Sequence, residues 1–275
     1  MIHVATCVYG IDDKMFEMLK VYAYSVLKNV RCELFIYTDG ITLQQASELS
    51  FLSDRLNLVS FKEQRLRKNE KASQKVRIWK EISSDPLHEK QPLVISDFDM
   101  LFLKDVSRVF EVMDRDQTDL CYTLKDQWNE KYRLNTGILF LNNPRNCRQI
   151  MRAWAADVTR SLNNAAVAES MASSHGSVDQ CVLMSWLESD NAMCKTHSLP
   201  ASQFNLHKDW SNIPEDCCVI HYKSDWSKVL TTGDSFRRCL EYHGWWKREE
   251  ARTWKPAFDL WKEYQQELEN SQTSL

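Results

Sequence analysis

The chain has 275 residues, a length that fits one large domain or two small ones and allows a substantial core. A formal net charge of −3 supplies no basic field for nucleic acid. Six Gly and six Pro against ten Trp point to a compact, helix-rich body without low-complexity linkers.

His3 to Tyr9 reads as a first buried strand, and Met1 to Gly10 lacks the basic start and long apolar stretch of a secretory signal. Asp12 or Asp13 is placed to cap a helix whose Met15, Leu19, Tyr22 and Val26 recur at helical spacing. Cys32 to Tyr37 is a second strand closed by the turn signal Asp39-Gly40. A second helix carries Leu43, Ala46, Leu49 and Leu52, and Leu56 to Phe61 is a third strand. A basic segment, Lys62 to Lys80, ends in a helix with Lys75, Arg77 and Trp79.

Pro92 to Asp99 follows as an apolar strand that ends in two carboxylates. Asp105 is placed to cap a short helix, Leu120 to Leu124 is a strand, and Asn135-Thr136-Gly137 opens the strand Ile138 to Leu141. Helices follow around Arg145 to Ser161 and Val178 to Leu187, then the strand Cys217 to Tyr222. From Phe236 onward the chain is aromatic and charged. This alternation favours a mostly parallel sheet covered by helices. The nine cysteines are odd in number and show no C-x-x-C spacing, which argues against a disulfide framework or a zinc site. Reduced thiols fit a cytoplasmic setting. No apolar run approaches the ~20 residues needed to span a bilayer.

Asp97 and Asp99, two apart on a strand, are expected to share a face with Cα atoms roughly 6.6 Å apart. Two acids held together repel unless a proton or a metal intervenes. A hard cation with oxygen ligands that keeps positions for phosphate is the natural occupant, although solvated turn carboxylates show the same spacing. His221 lies in another apolar strand. It reads either as a hydrogen-bonded structural residue or as a further ligand, with Lys223 on the same strand face as a phosphate partner.

Five segments in order resemble GT-A-type nucleotide-sugar glycosyltransferases, closest to the glycogenin and lipopolysaccharide galactosyltransferase-like group. They are Val94 to Asp99, Leu134 to Phe140, Val178-Asp179-Gln180, Leu199-Pro200 with Phe204-Asn205, and His221-Tyr222-Lys223. The resemblance spans residue 3 to about 226. The family's final segment has Gly and Lys-Pro-Trp after the histidine, whereas this chain has Lys223-Ser224-Asp225-Trp226.

The resemblance implies an α/β fold: one GT-A-type domain over 1–235, with a mostly parallel central sheet flanked by helices. A helical, aromatic-rich C-terminal extension over 236–275 is expected to pack on it. It implies Mn2+ or Mg2+ held by Asp97, Asp99 and His221. It also implies a nucleotide-sugar donor bound by Tyr9, Lys75, Asp97 and Lys223, with Asn135, Asp179 and Gln180 beside the reacting sugar. The acceptor would be a glycan, glycolipid or protein, and the configuration at the sugar carbon would be retained.

Plainer readings stand beside these. Tyr9 serves equally as a core residue, Lys75 as part of a solvated helix face, and Asp179 with Gln180 as the first turn of a helix. The acceptor side points to Asp126 to Tyr132 and Ser170 to Ser177, either of which also reads as a plain surface loop. The aromatic and basic group Trp245, Trp246, Lys247, Arg248, Trp254 and Lys255 suits weak association with a membrane surface, or a helix packing its tryptophans inward. A non-catalytic nucleotide-sugar-binding protein is the main competing function. An Asp-nucleophile phosphotransferase fits less well, because its motif normally opens the domain.

Overall fold

A computed structural model of the chain describes residues 1–61, 71–125, 134–164, 166–170, 177–189, 193–207, 210–222, 230 and 253–273. Seven strands form the central sheet: β1 (Ile2–Val8), β2 (Cys32–Thr38), β3 (Leu56–Ser60), β4 (Leu93–Ser96), β6 (Leu120–Leu124), β7 (Leu134–Leu141) and β8 (Thr196–Pro200). Their spatial order is β3-β2-β1-β4-β7-β6-β8, and within it β7 runs against both of its neighbours while the remaining pairs are parallel. β5 (Met100–Phe102) and β9 (Val219–His221) form a separate antiparallel pair, with Met100 opposite His221.

β1, β4 and β7 are buried at every position because helices cover both faces. Alternate residues serve opposite layers, as the period of two requires. Val4, Leu34, Ile36, Val94 and Phe140 pack with Phe16, Leu19 and Tyr22 of α1 (Asp13–Asn29), beside α2 (Leu43–Ser50) and α4 (Arg108–Asp116). Ala5, Phe35, Ile95 and Leu139 face the other way. They meet Trp79 of α3 (Lys71–Ser84), Trp154 of α5 (Pro144–Leu162) and Val182 of α6 (Val178–Leu187).

Local chemistry sets the helix starts. The Asp12 carboxylate accepts from Met15 N at 2.8 Å and caps α1. Thr42 and Gln45 form a reciprocal capping box on α2. Asn143 caps α5 with Pro144 at its first position, where the missing N–H costs nothing. Asp105 does not cap α4: the cap is Ser107, and the Asp105 side chain accepts from Ser107 N and Oγ in the turn before it.

After β8, the short α7 (Ala201–Phe204) leads to Asn205. The last helix, α8 (Lys255–Thr273), belongs to the expected 236–275 extension. Its Phe258, Trp261 and Tyr264 pack against Met18 and Val21 on the outer face of α1 and against Leu101, Ile220 and Tyr222 of the small sheet. Tyr222 Oη donates to Ala257 O at 2.7 Å, and Lys28 pairs with Glu267. Among the described residues no helix is long and apolar enough to cross a membrane.

Candidate functional site

Asp97 and Asp99 converge by a different route from strand alternation. β4 ends at Ser96, and residues 97–99 form the bend through which the chain leaves the large sheet for the small one. The backbone of the bend is held at both ends: Asp97 N donates to Gly137 O at 2.8 Å, and Tyr222 N donates to Asp99 O at 2.8 Å. Behind it, Thr6 Oγ1 donates to Ser96 O at 2.8 Å and the Tyr22 hydroxyl lies 2.7 Å from Ser96 Oγ. The strand expected over Ile138 to Leu141 begins earlier, at Leu134, so Asn135-Thr136-Gly137 lies inside β7.

The pairing of β9 with β5 brings His221 onto the acidic bend. Its Nε2 lies 3.2 Å from Asp99 Oδ1 and 3.7 Å from Asp97 Oδ2. One donor atom from each of the three residues falls within 4.8 Å of the others. The imidazole is 3% exposed, whereas the two carboxylates keep 23% and 17% of their side-chain surface open. A cation here would be gripped from behind and accessible in front. Gly137 makes the imidazole's position possible: a Cβ at 137 would stand 2.5 Å from His221 Cε1 and 2.6 Å from Nδ1.

Charge at the site is unbalanced in a way that suits a metal. Lys75 Nζ sits 2.7 Å from Asp97 Oδ1 and 2.8 Å from Oδ2, donates to Thr136 O at 3.2 Å, and lies 4.4 Å from the centre of the Trp79 ring. Burial works against the Lys75 ammonium, but Asp97 and Asp179 outweigh it and raise its pKa. Burial also pushes the Asp97 carboxyl upward against the pull of Lys75, and the charge of Asp99 adds to the rise. For Asp99 the same burial is outweighed by His221 and Lys75, and the carboxyl ends below its ordinary value. Asp99 Oδ1 is nonetheless a buried oxygen without a hydrogen-bond partner, with His221 Nε2 3.2 Å away. Such an orphaned oxygen, beside a second carboxylate and an imidazole, is a donor set that fits a divalent ion.

The other expected residues fall at varying distances from this centre. Asp179 is buried at the start of α6 and accepts from Thr136 Oγ1 at 2.8 Å, so its carboxylate faces β7 instead of capping its own helix. Gln180 is half-buried beside it. Asn135 is buried, with its amide between Gly137 N at 3.1 Å and Asn205 Oδ1 at 3.3 Å. Tyr9 follows β1 and packs against the α3 side of the sheet. Its phenol is pushed up mainly by burial, with Asp97 and Asp179 among the charges that add to the effect.

Lys223, the loop 126–132, residues 171–176 and Trp245, Trp246, Lys247 and Arg248 lie outside the described residues. Trp254 is partly buried at the foot of α8, packed against the outer cluster, and Lys255 pairs with Asp259. Thr123 carries side-chain contacts at the centre that no local pattern announces, whereas Thr136 and Asn205 lie in segments that carry the resemblance without being assigned a role by it.

No family model and no curated protein matches the sequence. Solved structures do. The glycosyltransferase GlyE of Streptococcus pneumoniae TIGR4 is 13% identical at a TM-score of 0.57, over 94% of this chain and 63% of GlyE. This chain therefore spans less than two thirds of that protein. The galactosyltransferase LgtC, solved with donor and acceptor sugar analogues, is 11% identical at a TM-score of 0.54, over 86% of this chain and 99% of LgtC. Mouse xyloside xylosyltransferase 1 is 10% identical at a TM-score of 0.51, over 82% of this chain and 98% of its own. At such identities the likeness establishes the fold, which is that of GT-A-type glycosyltransferases.

Proposed function

We propose that the protein is a metal-dependent glycosyltransferase that moves a sugar from a nucleoside-diphosphate sugar to a hydroxyl of a glycan, glycolipid or protein. The observation that carries this reading is the convergence of Asp97, Asp99 and His221 where the chain leaves the parallel strands. Open α/β sheets bind ligands at the carboxyl ends of such strands. The carboxylates and imidazole would hold Mn2+ or Mg2+, and the imidazole among oxygen donors tips the preference toward the first-row ion. When bound, the ion supplies Lewis-acid stabilisation of a departing diphosphate.

The chain's own residues carry the rest. Lys75 places a fixed ammonium against Asp97, where it also meets negative charge developing on the phosphates. Lys223 adds a second cation to the same task. Asp179 and Gln180, at the first turn of α6 beside Thr136, would offer polar and anionic groups to an oxocarbenium-like sugar carbon, with the buried Asn135 on β7 behind them. Tyr9 lines the nucleotide end. UDP as the carrier and retention of configuration follow the glycogenin-like resemblance, and LgtC, a structural neighbour, was solved with sugar analogues in both donor and acceptor positions. The reduced-thiol composition supports a cytoplasmic setting. Weak membrane-surface contact through the C-terminal aromatic and basic segment would suit a glycolipid acceptor.

The test is UDP release from UDP-glucose and UDP-galactose with Mn2+, with chelator, and in Asp99→Asn. Activity that needs the ion and falls on the order of 100-fold in the variant is the expected result. Tight metal-dependent binding of the intact donor without turnover would replace the enzyme by a binding protein. Hydrolysis of a simple phosphate ester through Asp97 would replace it by a phosphotransferase.

A further inference from the structure

The orientation of two buried amides fixes which nitrogen of His221 faces the carboxylates. The reasoning starts from a group that can only donate. Gly137 N–H lies 3.1 Å from one end of the Asn135 side chain, so that end is the carbonyl oxygen. The NH2 at the other end points at Asn205, 3.3 Å away, and therefore requires an oxygen there. The opposite end of Asn205 agrees: its NH2 lies 3.4 Å from Asn135 O, an acceptor only, and 2.7 Å from Thr123 Oγ1. The Thr123 hydroxyl proton is already directed to Asn135 O at 3.0 Å, which leaves its oxygen free to accept. Asn205 Oδ1 thus faces His221 Nδ1 at 2.9 Å, and an oxygen in that place demands a proton on Nδ1. Asn135 and Asn205 are 1% and 0% exposed, so water does not compete for these positions.

We infer that Asn205 is a positioning residue that keeps Nδ1 of His221 protonated and so makes Nε2 the nitrogen that meets a divalent cation between Asp97 and Asp99. This rests on the metal site proposed above. The alternative tautomer, with Nε2–H facing Asp99 and Nδ1 bare, would close the site by donating to the very oxygen that the cation needs. Asn205 blocks that state, because it would set a lone pair of Nδ1 against Oδ1. Asn135 joins the same device through its NH2. Its side chain then orients the ligand set, with its backbone carbonyl anchoring Thr123 and Asn205. A second partner for the non-ligating nitrogen is how a metal-bound imidazole is ordinarily held in register.

Two measurements test this. Nitrogen NMR of 15N-histidine-labelled, metal-free protein, with His221→Gln for assignment, reads the state of each ring nitrogen. Mn2+ affinity is read by calorimetry. Wild-type His221 is expected to show a protonated Nδ1. Asn205→Leu is expected to show a bare Nδ1 and to bind Mn2+ roughly 10–100-fold more weakly. Asn205→Asp, which keeps an oxygen facing Nδ1, should restore the protonated Nδ1. A bare Nδ1 in the wild-type spectrum overturns the assignment without any variant, as does an Asn205→Leu protein that binds Mn2+ as tightly as wild type. Wild-type protein that ignores Mn2+ altogether would instead remove the metal site itself.

Discussion

Gly137 shows how much of this centre depends on a missing atom. A methyl group there would meet His221 Cε1 and Nδ1 and Met100 Cε at 2.5–2.6 Å, well inside contact. Gly137→Ala is therefore expected to push the imidazole away from the acidic bend and weaken Mn2+ binding by at least 10-fold. Overpacking should also cost about 1–3 kcal/mol of stability. Calorimetry and urea unfolding together check both parts, and an unchanged affinity would show that the ring can move aside freely. At this scale the sequence exposes Asp97, Asp99 and His221 because each is a polar residue dropped into an apolar run, a placement that costs free energy unless something answers it. Asn205 and Thr123 give no such signal. Their partners lie 16, 70 and 82 positions away, and a single sequence carries no trace of contacts formed only by folding.

Among the elements, α3 delivers Lys75, the lysine that pairs with the acidic bend. Lys75 and Asp97 are 18% and 23% exposed, so the pair is partly dry. Lys75→Met is expected to destabilise metal-free protein by about 1–3 kcal/mol, because it strands a carboxylate with little solvent. Saturating Mn2+ should narrow that gap by providing the missing charge, and thermal melts with and without the ion read the difference.

The turn after α3 carries a second buried polar chain. The Tyr37 hydroxyl donates to Asp85 Oδ2 at 2.8 Å, so His88 Nε2 donates to Tyr37 at 2.9 Å. His3 Nδ1 then donates to the bare Nδ1 of His88, also at 2.9 Å. Burial, with His3 adding to it and Asp85 opposing, lowers the His88 pKa to about 4 from 6.5. Burial likewise lowers the His3 pKa, with Glu33 opposing. The unfolded chain takes up these protons below about pH 6.5 while the folded chain resists. The stability contribution is therefore whole above that pH and is lost as the pH falls toward 4, by about 3 kcal/mol for His88 alone. Urea melts of wild type and His88→Gln across that window should diverge in slope, with the variant flatter; parallel slopes would refute the linkage.

Element types were legible from periodicity, and α6 matches its expected bounds at Val178–Leu187. The bend at 97–99 was not. Strand spacing alone treats an Asp-x-Asp pair as a continuing strand, whereas here the chain changes sheets between the two acids. That change is decided by the pairing of β5 with β9, a partner more than a hundred positions away.

Across the whole molecule, α8 closes the outer core. Trp261 is 1% exposed, and it packs edge-on against Tyr222, the residue that follows His221. Trp261→Ala is expected to cost about 3–5 kcal/mol and to lower the midpoint of thermal unfolding, measured by calorimetry. Its Mn2+ affinity should fall as well, since Tyr222 N ties β9 to Asp99 O. An affinity that survives the loss of stability would show that β9 holds its place without the C-terminal helix.

The separation of the ligands along the chain also has a consequence for synthesis. The acidic bend leaves the ribosome first, and the imidazole follows about 120 residues later, on the order of ten seconds at ordinary elongation rates. During that interval two adjacent carboxylates would stand without their eventual third companion. Lys75, 22 positions ahead of Asp97, has already emerged by then. In the finished fold it still lies against Asp97, with His221 beside the same carboxylate, so the countercharge made first stays in place.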